Sequence, residues 1–399
     1  MTAVVVIVLA GAFVALLLAG YFFTRFPRDV AALLNRVSAG ARHPPAVSEE
    51  ARALHARLLV ADLHCDALLW ERDFLERGSY GHVDLPRLLE GNVALQVLSA
   101  ATKMPLLPLP TRNTGRTDSM TPLVIAQRWP RETRRSLSAR ALYQAARLRD
   151  AAARSNGRLL VIESAADLVS LHARREGGEA VVGTVLLLEG LHALEERLGA
   201  VDTFFEAGFR ILGLVHFFDN PVGGSTHGVR RGGLTPFGRR VIDRMNELGM
   251  VVDLAHASGR LIEDALAAAN RPVVVSHTGV KGHCNTGRNI TDDSARAVAA
   301  AGGLIGIGFW REAVGDRDTG AIARAIRYTA DLVGIDHVAL GSDFDGGVRT
   351  PFDAGGISLL TQALLDEGFG EDEIAKIMGG NVFDLLARSL PRAPIATTN

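Results

Sequence analysis

Cysteine is nearly absent: the 399 residues contain two, Cys65 and Cys284, too few for a disulfide framework or a cysteine-based zinc module. Stability therefore rests on packing. Lysine is almost as scarce, with only Lys103, Lys281 and Lys376, so arginine carries nearly all the positive charge, a bias that fits genome composition and implies no mechanism. Neither sign of charge is in excess. With 43 Lys+Arg against 44 Asp+Glu the net charge is −1, and no overall field gathers nucleic acid or an acidic partner. Internal repeats are missing too. What the chain does have is 48% apolar and 22% charged residues, the balance of a globular core and not of a disordered or collagen-like chain. At roughly 150 residues per domain the length allows two or three domains, or one closed α/β barrel.

From Ala3 to Phe23 the run AVVVIVLAGAFVALLLAGYFF carries no charge. As a helix it covers about 30 Å, the thickness of a bilayer's hydrocarbon. A cleaved signal peptide needs a basic leader and a shorter apolar stretch, whereas only Met1 and Thr2 precede this run. Residues 1–24 are accordingly expected to be a single transmembrane anchor. Arg25, Arg28, Arg36 and Arg42 follow the run and none precedes it, which by the positive-inside rule leaves the rest of the chain in the cytoplasm. Residues 25–50, with Pro27, Pro44 and Pro45, read as a linker.

Beyond the linker, eight runs rich in Val, Ile and Leu recur: 58–64, 93–99, 182–189, 209–216, 250–256, 272–277, 303–309 and 337–343. Continuous apolarity suits parallel strands buried on both faces. Amphipathic stretches lie between them, at Gly238–Leu248, Arg260–Ala269, Asp293–Ala301 and Ala321–Val333. Strand-then-helix order repeated eight times predicts a (β/α)8 TIM barrel over residues 51–390, with a doubly wound open sheet as the rival. Residues 101–160 interrupt the repeat as an insertion, a loop TKMPLLPLPTRNTG followed by a helix SLSARALYQAARLRDAAARS whose arginines suit a solvated face. The last residues, 391–399, form a tail.

Six of the eight runs end in, or lead into, groups able to bind a metal or move a proton: His64 with Asp66, Glu189, His216, His256, His277 and Asp343. In a barrel these ends converge on one face, where active sites of the fold sit. A single histidine there is usually structural; four with three carboxylates point to a metal centre. His64 and Asp66 form an H-x-D pair that alternation places on one side of a strand. Imidazole and carboxylate donors without thiolate suit Zn²⁺, with Mn²⁺, Co²⁺ or Fe²⁺ behind it. Glu189 can bridge, which favours two metals, one held by His64, Asp66 and Glu189 and the other by Glu189, His256 and His277; a mononuclear site is the plainer alternative. Asp62 and Asp253 are candidates to support ligands from behind. Asp345 reads as an orienting or structural carboxylate, His192, His227 and His283 as loop histidines, and Cys65 as a packed thiol.

Six motifs in order, DLHCDALL, LLLEGLHAL, LVHFFDNP, TPFGRRVIDRMNELGMVVDLAHAS, SHTGVKGHCNTGRN and LGSDFDGG, resemble the membrane (renal) dipeptidases, zinc-dependent members of the metal-dependent hydrolase barrels. The resemblance covers roughly residues 50–390. It implies a membrane-anchored dipeptidase with two Zn²⁺ per chain on His64, Asp66, Glu189, His256 and His277, cleaving dipeptides, some with a C-terminal D-residue, by a metal-bridging hydroxide. His216 would contact substrate and stabilise the oxyanion, Arg288 would hold the substrate carboxylate, and Asp343 would be the acid/base. A homodimer and an extracytoplasmic barrel are also implied, the latter against the arginine flank. The chain departs from the family in its N-terminal anchor, in a C-terminal RAPIATTN without a hydrophobic tail, and in the 101–160 insertion, where side-chain specificity is expected to differ. Two other readings share this sequence: the same metal centre acting on an N-acyl amino acid, lactone or cyclic amide, and a silent barrel serving as an anchored binding protein.

Overall fold

Eight parallel strands form at the expected apolar runs, three of them reaching one or two residues further: β1 (Val60–Cys65), β2 (Val93–Ala101), β3 (Val182–Glu189), β4 (Phe209–Gly213), β5 (Val251–Asp253), β6 (Val274–Thr278), β7 (Leu304–Ile307) and β8 (Val338–Leu340). The computed structural model describes residues 2–38, 46–109 and 111–392, so Arg42, Pro44, Pro45 and the tail beyond Arg392 lie outside it. Each strand pairs in parallel with its neighbour in sequence, except that β8 returns to β1. Pairing of Leu95 through Ala101 on β2 with Gly183 through Glu189 on β3 completes the ring. Closure excludes the doubly wound sheet, and the fold is a (β/α)8 barrel.

Every residue of β1, β2 and β3 is buried, as continuous apolar runs require of strands covered on both faces. One apolar cluster draws Leu63, Val97, Leu187, Ile211, Val251, Val274, Leu304 and Ala339 from the eight strands and is joined by Val382, Leu385 and Leu386 of the final helix Asn381–Ser389. A larger cluster joins the strands to the surrounding helices. Those helices start on side-chain caps. Thr235 accepts from the Gly238 amide ahead of Pro236–Leu248, and Ser258, Thr291 and Asp318 do the same for Gly259–Leu266, Asp292–Ala300 and Thr319–Val333.

Three departures from the sequence expectation concern the segments outside the repeat. Helix α1 (Thr2–Thr24) is followed at once by α2 (Phe26–Leu34) and a two-residue strand, Arg36–Val37, that pairs with Arg349–Thr350. Residues 26–37 of the expected linker are thus seated on the barrel, with Asn35 Oδ1 accepting from the Gly347 amide. A ninth strand, Leu159–Val161, pairs with the start of β3. The insertion forms α3 (Met120–Ala126), a 3-10 turn at Arg131–Arg134 and α4 (Leu137–Arg154).

Two insertion arginines are also not on a solvated face. Arg140 is 1% exposed and donates to the carbonyls of Thr133 and Thr102, to Thr121 and to Asp118, while Arg147 donates to the carbonyls of Leu68 and Trp70. Burial of a guanidinium is tolerable when its donors are used, and these bonds tie the insertion to the barrel mouth. Arg140→Met should leave buried acceptors and Asp118 without their partner and cost about 3 kcal/mol. Chemical denaturation of the two proteins checks this, as a lowered midpoint at unchanged slope.

Candidate metal centre

The barrel places its donors by a repeated local rule. His64 and Glu189 lie in the last two residues of β1 and β3, whereas His216, His256 and Asp343 each stand three residues beyond the end of β4, β5 and β8. His277 is the fourth residue of β6. In β1, three steps from Asp62 to Cys65 oppose two from Gln96 to Leu98. The same mismatch recurs in β6, where Val275 to Thr278 opposes Ile305 to Ile307. Each is a bulge at the histidine, and an extra residue of this kind re-aims a side chain at a strand end. His256 and Asp343 take positive φ, 61° and 59°, an unfavourable backbone state for such residues that the surrounding barrel must hold.

At the centre is Glu189. Its Oε1 lies 3.1 Å from His256 Nε2, 3.6 Å from His277 Nε2 and 3.7 Å from His64 Nε2, and its Oε2 lies 3.4 Å from His216 Nε2. His64 Nε2 is also 3.7 Å from Asp66 Oδ2 and 3.9 Å from Asp343 Oδ1. Three sets of donor atoms fall within 4.8 Å of one another: His64, Glu189 and His277; Glu189, His216 and His256; His64, Asp66 and Asp343. These sets share members and cut across the partition drawn from sequence, in which His277 goes with His256. Those two are nevertheless adjacent, with Nε2 atoms 3.0 Å apart.

The charge state of this cluster is that of a site short of positive charge. Burial, reinforced by Asp66 and opposed by His64, lifts Glu189 well above the usual carboxylate range. Burial likewise pushes Asp343 up to about 7, against the pull of His64. His64 is itself disfavoured as a cation by burial, yet Glu189, Asp66 and Asp343 raise it to about 10. Burial first and neighbouring positive groups second keep His216, His256 and His277 well below the ordinary histidine value, so their ring nitrogens are available as donors. His64 Nε2 and Asp66 Oδ1 are buried without a hydrogen-bond partner. A divalent cation would satisfy both and neutralise the carboxylates, so the donor set fits a metal.

Two matching clamps brace the strands behind these donors. Asp253 Oδ1 accepts from the Ser276 amide and Oδ2 from its hydroxyl; Asp62 Oδ1 accepts from the Ser342 amide and Oδ2 from its hydroxyl. Ser276 precedes His277, and Ser342 precedes Asp343. Ser276 Oγ also sits 2.9 Å from His277 Nδ1. Neighbouring strands close around this serine through glycine: a Cβ on Gly306 or Gly341 would stand 2.2 or 2.1 Å from the Ser276 carbonyl oxygen. The sequence reading singled out both aspartates but missed both serines, whose only signal is a small polar residue in an apolar run just before a donor.

Arg288 Nη2 donates to the His277 carbonyl at 2.7 Å, and its guanidinium lies 5.5 Å from the Trp310 ring centre. Partial burial lowers its pKa while Asp343 and Glu189 oppose that shift, so its charge faces the same centre. Trp310, also missed, borders His277 at 6.0 Å. Asp345 is withdrawn from the centre, bonded to Arg72 and the amides of His82 and Val83. His283 bonds to the Val314 carbonyl and Cys65 packs in the apolar core. His192 is buried against Thr102, and His227, in the turn between Ser225 and Gly228, has its ring centre 5.2 Å from that of His256, so this loop histidine stands in the wall of the site.

A closed (β/α)8 barrel with a histidine and carboxylate centre at its strand ends is the architecture of a metal-dependent hydrolase. Residues 48–389 match the family model of the membrane dipeptidases (peptidase family M19), and the chain belongs to that family. Dipeptidase aclJ of Aspergillus oryzae is 32% identical over 215 residues, 51% of each chain. An uncharacterized dipeptidase of Schizosaccharomyces pombe is 29% identical over 340 residues, 82% of this chain and 76% of that one. The chain thus spans about half the length of the Aspergillus protein and three quarters of the yeast one. Among solved structures, the metallopeptidase dipeptidase AC of the same family is 27% identical with a TM-score of 0.68, covering 84% of this chain and 99% of that one. A metallopeptidase from Rhodobacter sphaeroides, liganded with a phosphinate mimic of the dipeptide L-Ala-D-Ala, is 26% identical with a TM-score of 0.67 over 83% and 99%. These matches agree with the family resemblance of the six motifs.

Removing the clamp hydroxyl tests how the centre is held. Ser276→Ala should keep the fold but weaken divalent-metal affinity by about 10- to 100-fold, the usual cost of losing a partner that orients a ligand. Competition with a chelator of known affinity reads the change.

Proposed function

We propose that the chain is a membrane-anchored zinc dipeptidase that holds two Zn²⁺ on His64, Asp66, Glu189, His256 and His277. The observation that carries this reading is Glu189, a buried carboxylate with histidines facing both of its oxygens. A carboxylate so placed suits a bridge between two cations, and an imidazole and carboxylate set without thiolate suits zinc. When bound, the metal pair supplies Lewis acidity and a water that ionises near neutral pH.

The protein's own groups do the rest. Asp343, next to His64 and held in an unusually high carboxylate range, is positioned to accept a proton and return it to the leaving amine. His216, 3.4 Å from Glu189, offers a ring nitrogen to the oxygen on which negative charge develops. Arg288 presents a fork matched to a free α-carboxylate, which selects short substrates over internal peptide bonds. Acceptance of a C-terminal D-residue is supported by the ligand of the Rhodobacter relative, a mimic of L-Ala-D-Ala. Helix α1, with mean hydropathy 2.6 over Val5–Thr24 and none of that window buried, is the anchor.

Elemental analysis of the purified full chain, paired with hydrolysis of L,L and L,D dipeptides, tests the whole reading. Two zinc per chain and dipeptide turnover lost on chelation are expected; a folded protein that takes up no metal on reconstitution overturns it. A second experiment separates a dipeptidase from an amidohydrolase of other substrates. Arg288→Met should lower kcat/KM for free dipeptides by about 100-fold, the scale of one lost charge-assisted pair in a buried site, and spare an amide lacking the carboxylate. Equal loss on both substrates removes the carboxylate fork.

A further inference from the structure

The anchor helix and the insertion meet on the same side of the barrel. Val30 and Ala31 of α2 pack with Leu69 and Trp70, which follow β1, and with Met104, Met120, Leu123, Val124 and Trp129, which follow β2. The segments after β1 and β2 leave the carboxyl ends of those strands, and α2 packs on them, so α1 joins the domain at the mouth that also holds the metal centre. Contact extends into α1, where the Arg128 guanidinium lies 5.7 Å from the Phe23 ring centre.

From this cluster the loop after Met104 turns outward and exposes three leucines in four residues: Leu106 at 62%, Leu107 at 78% and Leu109 at 52%. On α2, Leu33 and Leu34 are exposed as well, at 53% and 41%. Large side chains bared at this density are unusual on a soluble surface. Exposed arginines stand on the segments that build the same cluster or directly follow it, Arg25 and Arg28 at the start of α2 and Arg128, Arg131, Arg134 and Arg135 after α3 and in the turn beyond it. Of the nearby carboxylates, Asp118 is bound to Arg140, leaving Asp29, Glu71 and Glu132 exposed, three against the six arginines. Apolar side chains projecting past a rim of positive charge match an anionic bilayer surface, acyl chains below and phosphates around them.

We infer that the barrel rests mouth-side on the bilayer, with Leu106, Leu107 and Leu109 inserted among the acyl chains and the arginines of the insertion on anionic headgroups. This rests on the anchor reading, because α1 is what fixes the bilayer next to the loop. The 101–160 insertion then acts as a membrane foot as well as a wall of the site, and substrate reaches the centre along the lipid surface.

The test uses the full chain in vesicles of phosphatidylcholine and phosphatidylglycerol with brominated acyl chains. A tryptophan reporter is placed by Leu107→Trp and, as control, by Val169→Trp on the helix Ala165–Glu176, where Val169 is 69% exposed. The native Trp70, Trp129 and Trp310 are all buried and give a common background. Leu107→Trp should show blue-shifted emission that brominated lipid quenches, and Val169→Trp should not. Replacing Arg128, Arg131, Arg134 and Arg135 by Gln should reduce that quenching selectively in vesicles containing phosphatidylglycerol. Equal quenching of the two reporters, in a chain that resists alkaline carbonate extraction, overturns the docking and leaves the anchor standing. Release of the chain by carbonate overturns the anchor and the docking together.

Discussion

The structure depends on keeping one carboxylate, Glu189, buried among four imidazoles. Its oxygens lie between 3.1 and 3.7 Å from His64, His216, His256 and His277. Within that group only the attraction between His64 and the carboxylates favours assembly, while burial drives the glutamate toward neutrality and holds the other three histidines well below their ordinary value. The cluster therefore exists because the barrel imposes it. Closure of eight strands brings their ends to one rim, and the hydrophobic stabilisation of the ring offsets the cost of desolvated polar groups at its top. A divalent cation held there would reverse that balance locally, since the orphaned His64 Nε2 and Asp66 Oδ1 would gain a partner.

That dependence explains where backbone irregularity is found. Regular strands present side chains on one face at a spacing of two residues, which is too coarse to converge four imidazoles on one carboxylate. The bulges at His64 and His277 and the positive φ of His256 and Asp343 supply the missing adjustments. Each is tolerated because an Asp and Ser clamp crosses the neighbouring strands at the same height. The repeated arrangement, Asp253 with Ser276 and Asp62 with Ser342, means that two of the donors, His277 and Asp343, directly follow a serine whose amide and hydroxyl are both fixed. Positional precision thus enters through the backbone rather than through the donor side chains themselves.

Much of this was legible in the sequence, and the remainder was not, for one physical reason. The eight strands were readable because burial on both faces leaves a continuous apolar run, a property of the segment alone. The residues that gather round Glu189 were readable because metal chemistry restricts residue type and because six motifs occur in family order. A bulge, in contrast, is a mismatch between two strands, so neither Asp62–Cys65 nor Val275–Thr278 announces it. The same holds for Arg140 and Arg147, whose burial is set by carbonyls of Thr102, Thr133, Leu68 and Trp70, some far away in the chain. On its own helix each looks like any solvated arginine. Residues 26–37 were read as a linker because nothing local shows that Arg36–Val37 finds a strand partner at Arg349–Thr350.

The placement of those two arginines bears on specificity. Through Arg140 the insertion grips the Thr102 carbonyl at the end of β2, and Thr102 Oγ1 in turn sits 2.9 Å from His192 Nε2. His192 packs on Phe218, two residues beyond His216, with ring centres 4.9 Å apart, and Lys103 lies over the other partner of that contact, 5.4 Å from the Phe218 ring centre. A continuous path of packed groups thus runs from the insertion to the wall of the metal centre. Changes in the insertion would reach that wall without touching the residues around Glu189, a route by which one barrel could serve different side chains. Because the same insertion carries the exposed leucines, the docking surface we propose and the wall of the metal centre belong to one structural unit.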